Sequence, residues 1–141
     1  GTIRTLDAET RRTAVEAVRQ IATHTAAALG VEAEINLEPR YPVLINDARL
    51  TALFRETARA ELGAAALHDD PVSLGGEDFA FYGQRAPVMM WRLGVARPGT
   101  PQEIPLHSPL FDFADEAIAT GVRLHCALAL RFNAIGGLPA A

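Results

Sequence analysis

Apolar residues follow two periods along the 141-residue chain. Val15, Val18, Ala22, Thr25 and Leu29 recur at steps of three and four, which marks one face of an amphipathic helix. Arg11, Arg12, Glu16, Arg19 and Gln20 fill the rest of its surface. Asp7 is placed to cap the start, Glu9 sits in the first turn, and Gly30 stops the helix. The period then changes to two. Val31, Ala33, Ile35 and Leu37 alternate with Glu32, Glu34, Asn36 and Glu38, the pattern of a strand covered on one face. With Thr2 to Thr5 read as a short strand, this segment predicts strand, helix and strand, half of a small α+β sandwich.

Pro39-Arg-Tyr-Pro42 breaks the pattern, because proline fixes φ and restricts the residue before it. Asn46 is placed to cap a second helix whose buried face is Leu50, Leu53, Phe54, Thr57, Ala58 and Leu62, with Gly63 ending it. A loop over Ala64 to Pro71 leads to a short strand near Val72–Leu74. Pro87-Val-Met-Met-Trp-Arg-Leu-Gly94 is a continuous apolar run, as expected of a central strand covered on both faces. Ala96 to Pro105 holds three of the nine prolines and reads as a loop. Asp112 is placed to cap a last helix, with Ala117, Ile118, Gly121, Leu124, Leu128 and Phe132 as its apolar stripe, and the chain frays from Gly136.

Composition narrows the function classes. A hydrophobic fraction of 49% and a mean hydropathy of +0.09 suffice for a core. Net charge is 13 − 17 = −4, without a basic patch, which argues against nucleic-acid or anionic-membrane binding. The longest apolar stretches fall far short of a membrane span. A single cysteine, Cys126, excludes an internal disulfide; inside a helix it reads as an inert packed thiol.

Two stretches carry candidate chemistry. Ser73-Leu-Gly-Gly-Glu-Asp-Phe-Ala-Phe-Tyr-Gly83 reads as a tight turn into a short helix, with Asp78 as a cap. Gly75 and Gly76 can let a ligand approach the main chain. In Leu106-His-Ser-Pro-Leu-Phe-Asp-Phe113, His107 lies in a loop, where an imidazole can ligate zinc, manganese or cobalt. From spacing alone, a lone histidine is more often an exposed or structural residue than a ligand. Of the other three histidines, His24 and His68 read as surface residues and His125 as partly packed. Arg4 by itself reads as an exposed strand arginine paired with a nearby carboxylate. Met89, Met90 and Trp91 read as core.

Together, Gly75-Gly-Glu-Asp-Phe-Ala80, Leu106-His-Ser-Pro109, Gly1-Thr-Ile-Arg-Thr5 and Tyr41-Pro-Val-Leu-Ile-Asn-Asp47 resemble the dizinc-type metallopeptidase and amidohydrolase family of aminoacylases, glutamate carboxypeptidases and hippurate hydrolases. The match is to the N-acyl amino acid and hippurate amidohydrolase branch, in the right order and over essentially the whole chain. The resemblance implies an α/β protein of two domains, of which this chain is the C-terminal part. Residues 1–40 would be the second half of an α+β lid, which commonly builds a dimer, and 41–141 the end of an α/β catalytic domain. Pro39–Pro42 would be the crossing between them.

The resemblance further implies a dinuclear centre of divalent metal (Zn, Mn or Co) that polarises an amide carbonyl and lowers the pKa of a bound water. His107 would be one ligand. Arg4 and the Gly75–Gly76 turn would hold the carboxylate end of an N-acyl amino acid or peptide, while Glu77 and Asp78 orient the turn. The remaining ligands and the general-base glutamate would lie upstream, so the chain alone is expected to be inactive. Its lid strands are expected to pair with another chain or an upstream piece, the whole protein being a cytoplasmic homodimer. Rival readings are a dipeptidase or carboxypeptidase of the same family, and a non-catalytic dimerisation or interaction module.

Overall fold

A computed structural model describes residues 1–69, 72–97, 99 and 104–138. Three α-helices form: α1 (Ala8–Ala28), α2 (Ala48–Leu62) and α3 (Glu116–Ala134). Short 3₁₀ segments cover Ala64–Ala66 and Asp78–Gln84. The chain divides into two compact units, Gly1–Ile45 with Asp70–Val88 and Asn46–Asp69 with Met89–Ala141.

In the first unit, α1 begins and ends where its sequence dictates. The Asp7 side chain accepts from the Thr10 amide at 2.7 Å, satisfying one of the donors that a helix start leaves open. At the other end Gly30 adopts φ +71°, its amide donates to Ala27 O, and the Val31 amide reaches Ala26 O at 3.0 Å. This paired closure of the last carbonyls needs a left-handed residue, which glycine takes without a Cβ clash. Ala26, Ala80 and Val88 are buried. The predicted apolar face of α1 is only partly covered: Val15 and Ala22 are half-buried, whereas Val18 and Leu29 are exposed.

The second unit is built on α2 against α3. Leu53 and Ala58 of α2 and Leu124 of α3 are buried. Thr57 is buried with them and returns its hydroxyl proton to Leu53 O at 2.8 Å, so no polar atom is stranded. Truncating Leu53 or Leu124 to alanine at such a site costs about 2–5 kcal/mol. Phe54 stacks on Trp91 at 5.0 Å between ring centroids, and the Trp91 ring lies 5.2 Å from His125. Arg131 pairs with Glu56 and Arg123 with Glu61; these pairs are partly exposed and contribute about 0–1 kcal/mol each. Glycine at 121 leaves room for Leu93, whose Cδ2 would lie 3.4 Å from an added Cβ.

Several expectations are corrected. Among the described residues no strand forms, so Thr2–Thr5, Val31–Glu38, Val72–Leu74 and Pro87–Gly94 lack the ladders their patterns suggest. Alternation encodes which side chains share a face; a ladder also needs a neighbouring segment in register. The cap of α2 is Asp47, not Asn46: its carboxylate accepts from the Arg49 and Leu50 amides. Asn46 instead brackets Met90, donating to its carbonyl at 2.8 Å and accepting from its amide at 2.9 Å. The last helix starts after Asp115, not Asp112, which pairs with Arg97 at 3.2 Å and accepts from the Phe113 amide. On α3, Ile118 is exposed rather than buried, and Cys126 is exposed rather than packed. Val122, Cys126 and Leu130 share one exposed face at four-residue spacing. Parts of the loops expected over Ala64–Pro71 and Ala96–Pro105, and the end of the fraying tail, lie outside the described residues.

The Asp47 cap generates a pH prediction. The Arg49 guanidinium, followed by the Leu50 amide, holds the Asp47 carboxyl below the ordinary carboxylate range. A carboxyl whose folded value is lowered contributes stability that is present above its unfolded value and lost as pH falls through the folded one. Asp47→Ala is expected to lower the thermal midpoint at neutral pH by a few degrees and to reduce the loss of stability on acidification. Melting curves of both proteins from neutral to strongly acidic pH check this; a difference in midpoint that stays constant across that range would contradict it.

Candidate functional site

The glycine turn is assembled from local bonds. The Ser73 hydroxyl accepts from the Gly75 amide at 3.1 Å, and the Glu77 carboxylate accepts from the Phe79 amide at 3.1 Å. Glu77, not Asp78, is therefore the capping residue of the 3₁₀ segment. Within that segment Ala80 is buried, and the Phe79 and Tyr82 rings lie 5.5 Å apart.

Neither Gly75 nor Gly76 has a positive φ, so backbone conformation does not demand glycine there. Space does. A Cβ on Gly75 would stand 3.2 Å from the Ser73 hydroxyl oxygen, and one on Gly76 would stand 3.0 Å from Tyr41 Cδ2. The freedom expected of these glycines is thus a steric matter.

Arg4 meets the same turn. Its Nη1 donates to Leu74 O at 2.8 Å, directly before Gly75. The sequence pairs this arginine with a nearby carboxylate and the family resemblance pairs it with a substrate carboxylate; the observed partner is a main-chain carbonyl. A guanidinium carries five N–H donors, so one such bond does not exhaust it. The fold therefore brings together three of the residues singled out from sequence, Arg4, Gly75 and Gly76.

His107 belongs to the second unit and is exposed. It sits in a turn closed by the Ser108 amide on Pro105 O at 2.8 Å and the Phe111 amide on Ser108 O at 3.0 Å, with the Leu110 amide donating to the Ser108 hydroxyl. Among the described residues no three His, Cys, Asp or Glu side chains converge to hold a metal ion. His24 and His68 are exposed as expected, and His125 is exposed yet lies against Trp91.

Tyr41 is the residue that sequence reasoning passed over. It was noted only as part of a matching segment. Its ring lies against Gly76 and meets Phe81 edge-on at 6.2 Å, and its carbonyl accepts from the Arg11 guanidinium of α1. A tyrosine before proline, far along the chain from a glycine pair, carries no local signal of that contact.

A family model described as Peptidase family M20/M25/M40 matches residues 5–131. A probable hydrolase of Synechocystis sp. is 37% identical over 86% of this chain and 31% of its own length. An N-acetylcysteine deacetylase of Bacillus subtilis is 33% identical over 92% of this chain and 32% of its own. A thermostable carboxypeptidase of Saccharolobus solfataricus is 29% identical over 94% of this chain and 33% of its own. The chain thus spans about a third of the length of these relatives. No solved structure matches it.

The capping assignment is testable by hydrogen exchange. Glu77→Ala removes the acceptor of the Phe79 amide and is expected to speed exchange at Phe79 by about tenfold, the equivalent of one ordinary hydrogen bond. Asp78→Ala is expected to leave that amide unchanged. The reverse order of effects would return the cap to Asp78.

Proposed function

The chain belongs to Peptidase family M20/M25/M40, and on that premise we propose that its full-length protein hydrolyses the amide bond of N-acyl amino acids. The observation that carries this reading is the bond from Arg4 to Leu74 O, which seats a guanidinium beside the Gly75–Gly76 turn. A planar guanidinium takes a carboxylate through two parallel charged hydrogen bonds. The Gly75–Gly76 main chain follows directly after the Leu74 carbonyl. The pair then holds the carboxylate end of the substrate and leaves the acyl amide to be cleaved elsewhere. The relative named as an N-acetylcysteine deacetylase supports an N-acyl amino acid substrate. The relative named as a carboxypeptidase favours a second reading, a peptide substrate with the same free carboxylate.

Architecture and assembly are part of the proposal. Residues 1–40 are assigned to a lid and 41–141 to the end of an α/β catalytic domain. The extended segments of the lid pair with strands outside this chain, and two copies of the whole protein associate through it. The proposed setting is the cytoplasm; among the described residues no helix is long and apolar enough to cross a membrane.

Metal dependence belongs here as well, as two divalent ions with His107 as one ligand. Among the described residues no set of three donors converges to make such a centre. The other ligands and the base that moves the proton are assigned to the longer polypeptide, and the 141 residues alone are expected to be inactive. The rival reading, a non-catalytic module, predicts no turnover in the full-length protein either.

The test compares three forms of the full-length protein on an N-acetyl amino acid and on its uncharged amide analogue. Wild type is expected to cleave the acid in preference to the analogue. Arg4→Ala is expected to raise KM for the acid, losing the equivalent of about 1.5–3 kcal/mol, with metal content unchanged and little effect on the analogue. His107→Ala is expected to lower metal occupancy and turnover together. An equal loss on both substrates in Arg4→Ala would remove the carboxylate assignment, and unchanged metal in His107→Ala would leave that histidine as a loop residue.

A further inference from the structure

We infer that Tyr41 is a positioning residue for the Gly75–Gly76 turn, and that glycine is required at 76 because the Tyr41 ring occupies the space of a side chain. The inference rests on the proposed role of that turn in holding substrate. Three observations carry it. Gly76 lacks a positive φ, so its conformation is open to any residue. A Cβ there would lie 3.0 Å from Tyr41 Cδ2, tight enough that the ring would have to shift by a few tenths of an ångström, and 3.6 Å from Cε2, an ordinary contact. Tyr41 is partly exposed but has two further ties. Its ring meets Phe81 edge-on, and Phe81 belongs to the 3₁₀ segment that the turn leads into. Its carbonyl accepts from Arg11, on the first turns of α1.

The turn is therefore fixed at two successive points by different means. Arg4 anchors the carbonyl of Leu74 through a charged hydrogen bond, and Tyr41 abuts Gly76 through van der Waals contact. Arg4 and Arg11 flank the start of α1, so one helix terminus positions both the anchor and the ring. Loss of the ring leaves the Leu74 anchor intact but frees the main chain after it. Substrate binding at the turn should then weaken, whereas the metal and the proton-transfer groups are untouched. Tyr41 acts through the glycines rather than on the substrate.

The experiment is a double-mutant cycle in the full-length protein: wild type, Tyr41→Ala, Gly76→Ala and the combination, with Tyr41→Phe as the conservative control. Tyr41→Ala is expected to raise KM for an N-acetyl amino acid by about tenfold, as a displacement of well under 1 Å can, with kcat and metal content little changed. Tyr41→Phe keeps the ring and is expected to restore wild-type KM. Gly76→Ala is expected to be impaired alone and no worse in combination with Tyr41→Ala, since the methyl then has room. Fully additive losses, or Tyr41→Phe as impaired as Tyr41→Ala, would overturn the inference. If wild type cleaves no N-acyl amino acid or peptide, the functional reading fails separately, and the cycle is read from thermal midpoints of the same proteins. Non-additive shifts then support the Tyr41–Gly76 contact, and additive shifts overturn it.

Discussion

Hydrogen bonds from side chains to distant main-chain groups hold this chain where no ladder does. Arg4 reaches Leu74 O, Arg11 reaches Tyr41 O, Asn46 brackets Met90, Arg97 donates to Phe113 O, and Arg123 donates to Glu61 O. Each carbonyl lies in a segment that regular secondary structure leaves unsatisfied or at a helix end, where a side-chain donor can replace water. A bond to a charged donor contributes at most about 1.5–3 kcal/mol, and less where the pair is exposed, as most of these are. The apolar contribution is modest in comparison with ordinary domains. Leu53, Ala58 and Leu124 hold α2 on α3, yet Ile21, Leu29, Val31, Val122 and Leu130 remain exposed. Polar ties and packing both set the geometry, and the glycine turn is tied by one of each, the Arg4 bond to Leu74 O and the Tyr41 contact at Gly76.

What the sequence made legible follows from how local each signal is. Asp7 and Gly30 bound α1 as read, because a cap acts within three residues and a left-handed stop within two. Caps were misassigned where two suitable residues are neighbours. Asn46 and Asp47 are both good caps, and only the tertiary demand of Met90 removes Asn46 from that role. Glu77 and Asp78 pose the same choice, whereas Asp112 is drawn to Arg97 and the last helix starts after Asp115 without a side-chain cap. Alternation at Val31–Leu37 was visible, but a ladder depends on a partner that alternation does not specify.

The site was legible in the same graded way. Arg4, Gly75 and Gly76 could be named because short motifs placed them, and the fold joins them through Leu74 O. The reason for glycine could not be read. Conformational freedom is a local property and steric room a tertiary one, and the second proved decisive at Gly76. His107 stands on an exposed turn of the other unit, and among the described residues no further donors gather round it.

The central claim is that Arg4 and the glycine turn form one carboxylate-binding element. The most direct measurement is an amide and guanidinium NMR titration of the full-length protein with a non-hydrolysable N-acyl amino acid analogue. The account predicts saturable shifts at the Gly75 and Gly76 amides and at the Arg4 guanidinium, with one common dissociation constant, and none with the uncharged analogue. Shifts that bypass these three groups, or that appear equally with the uncharged analogue, would contradict it.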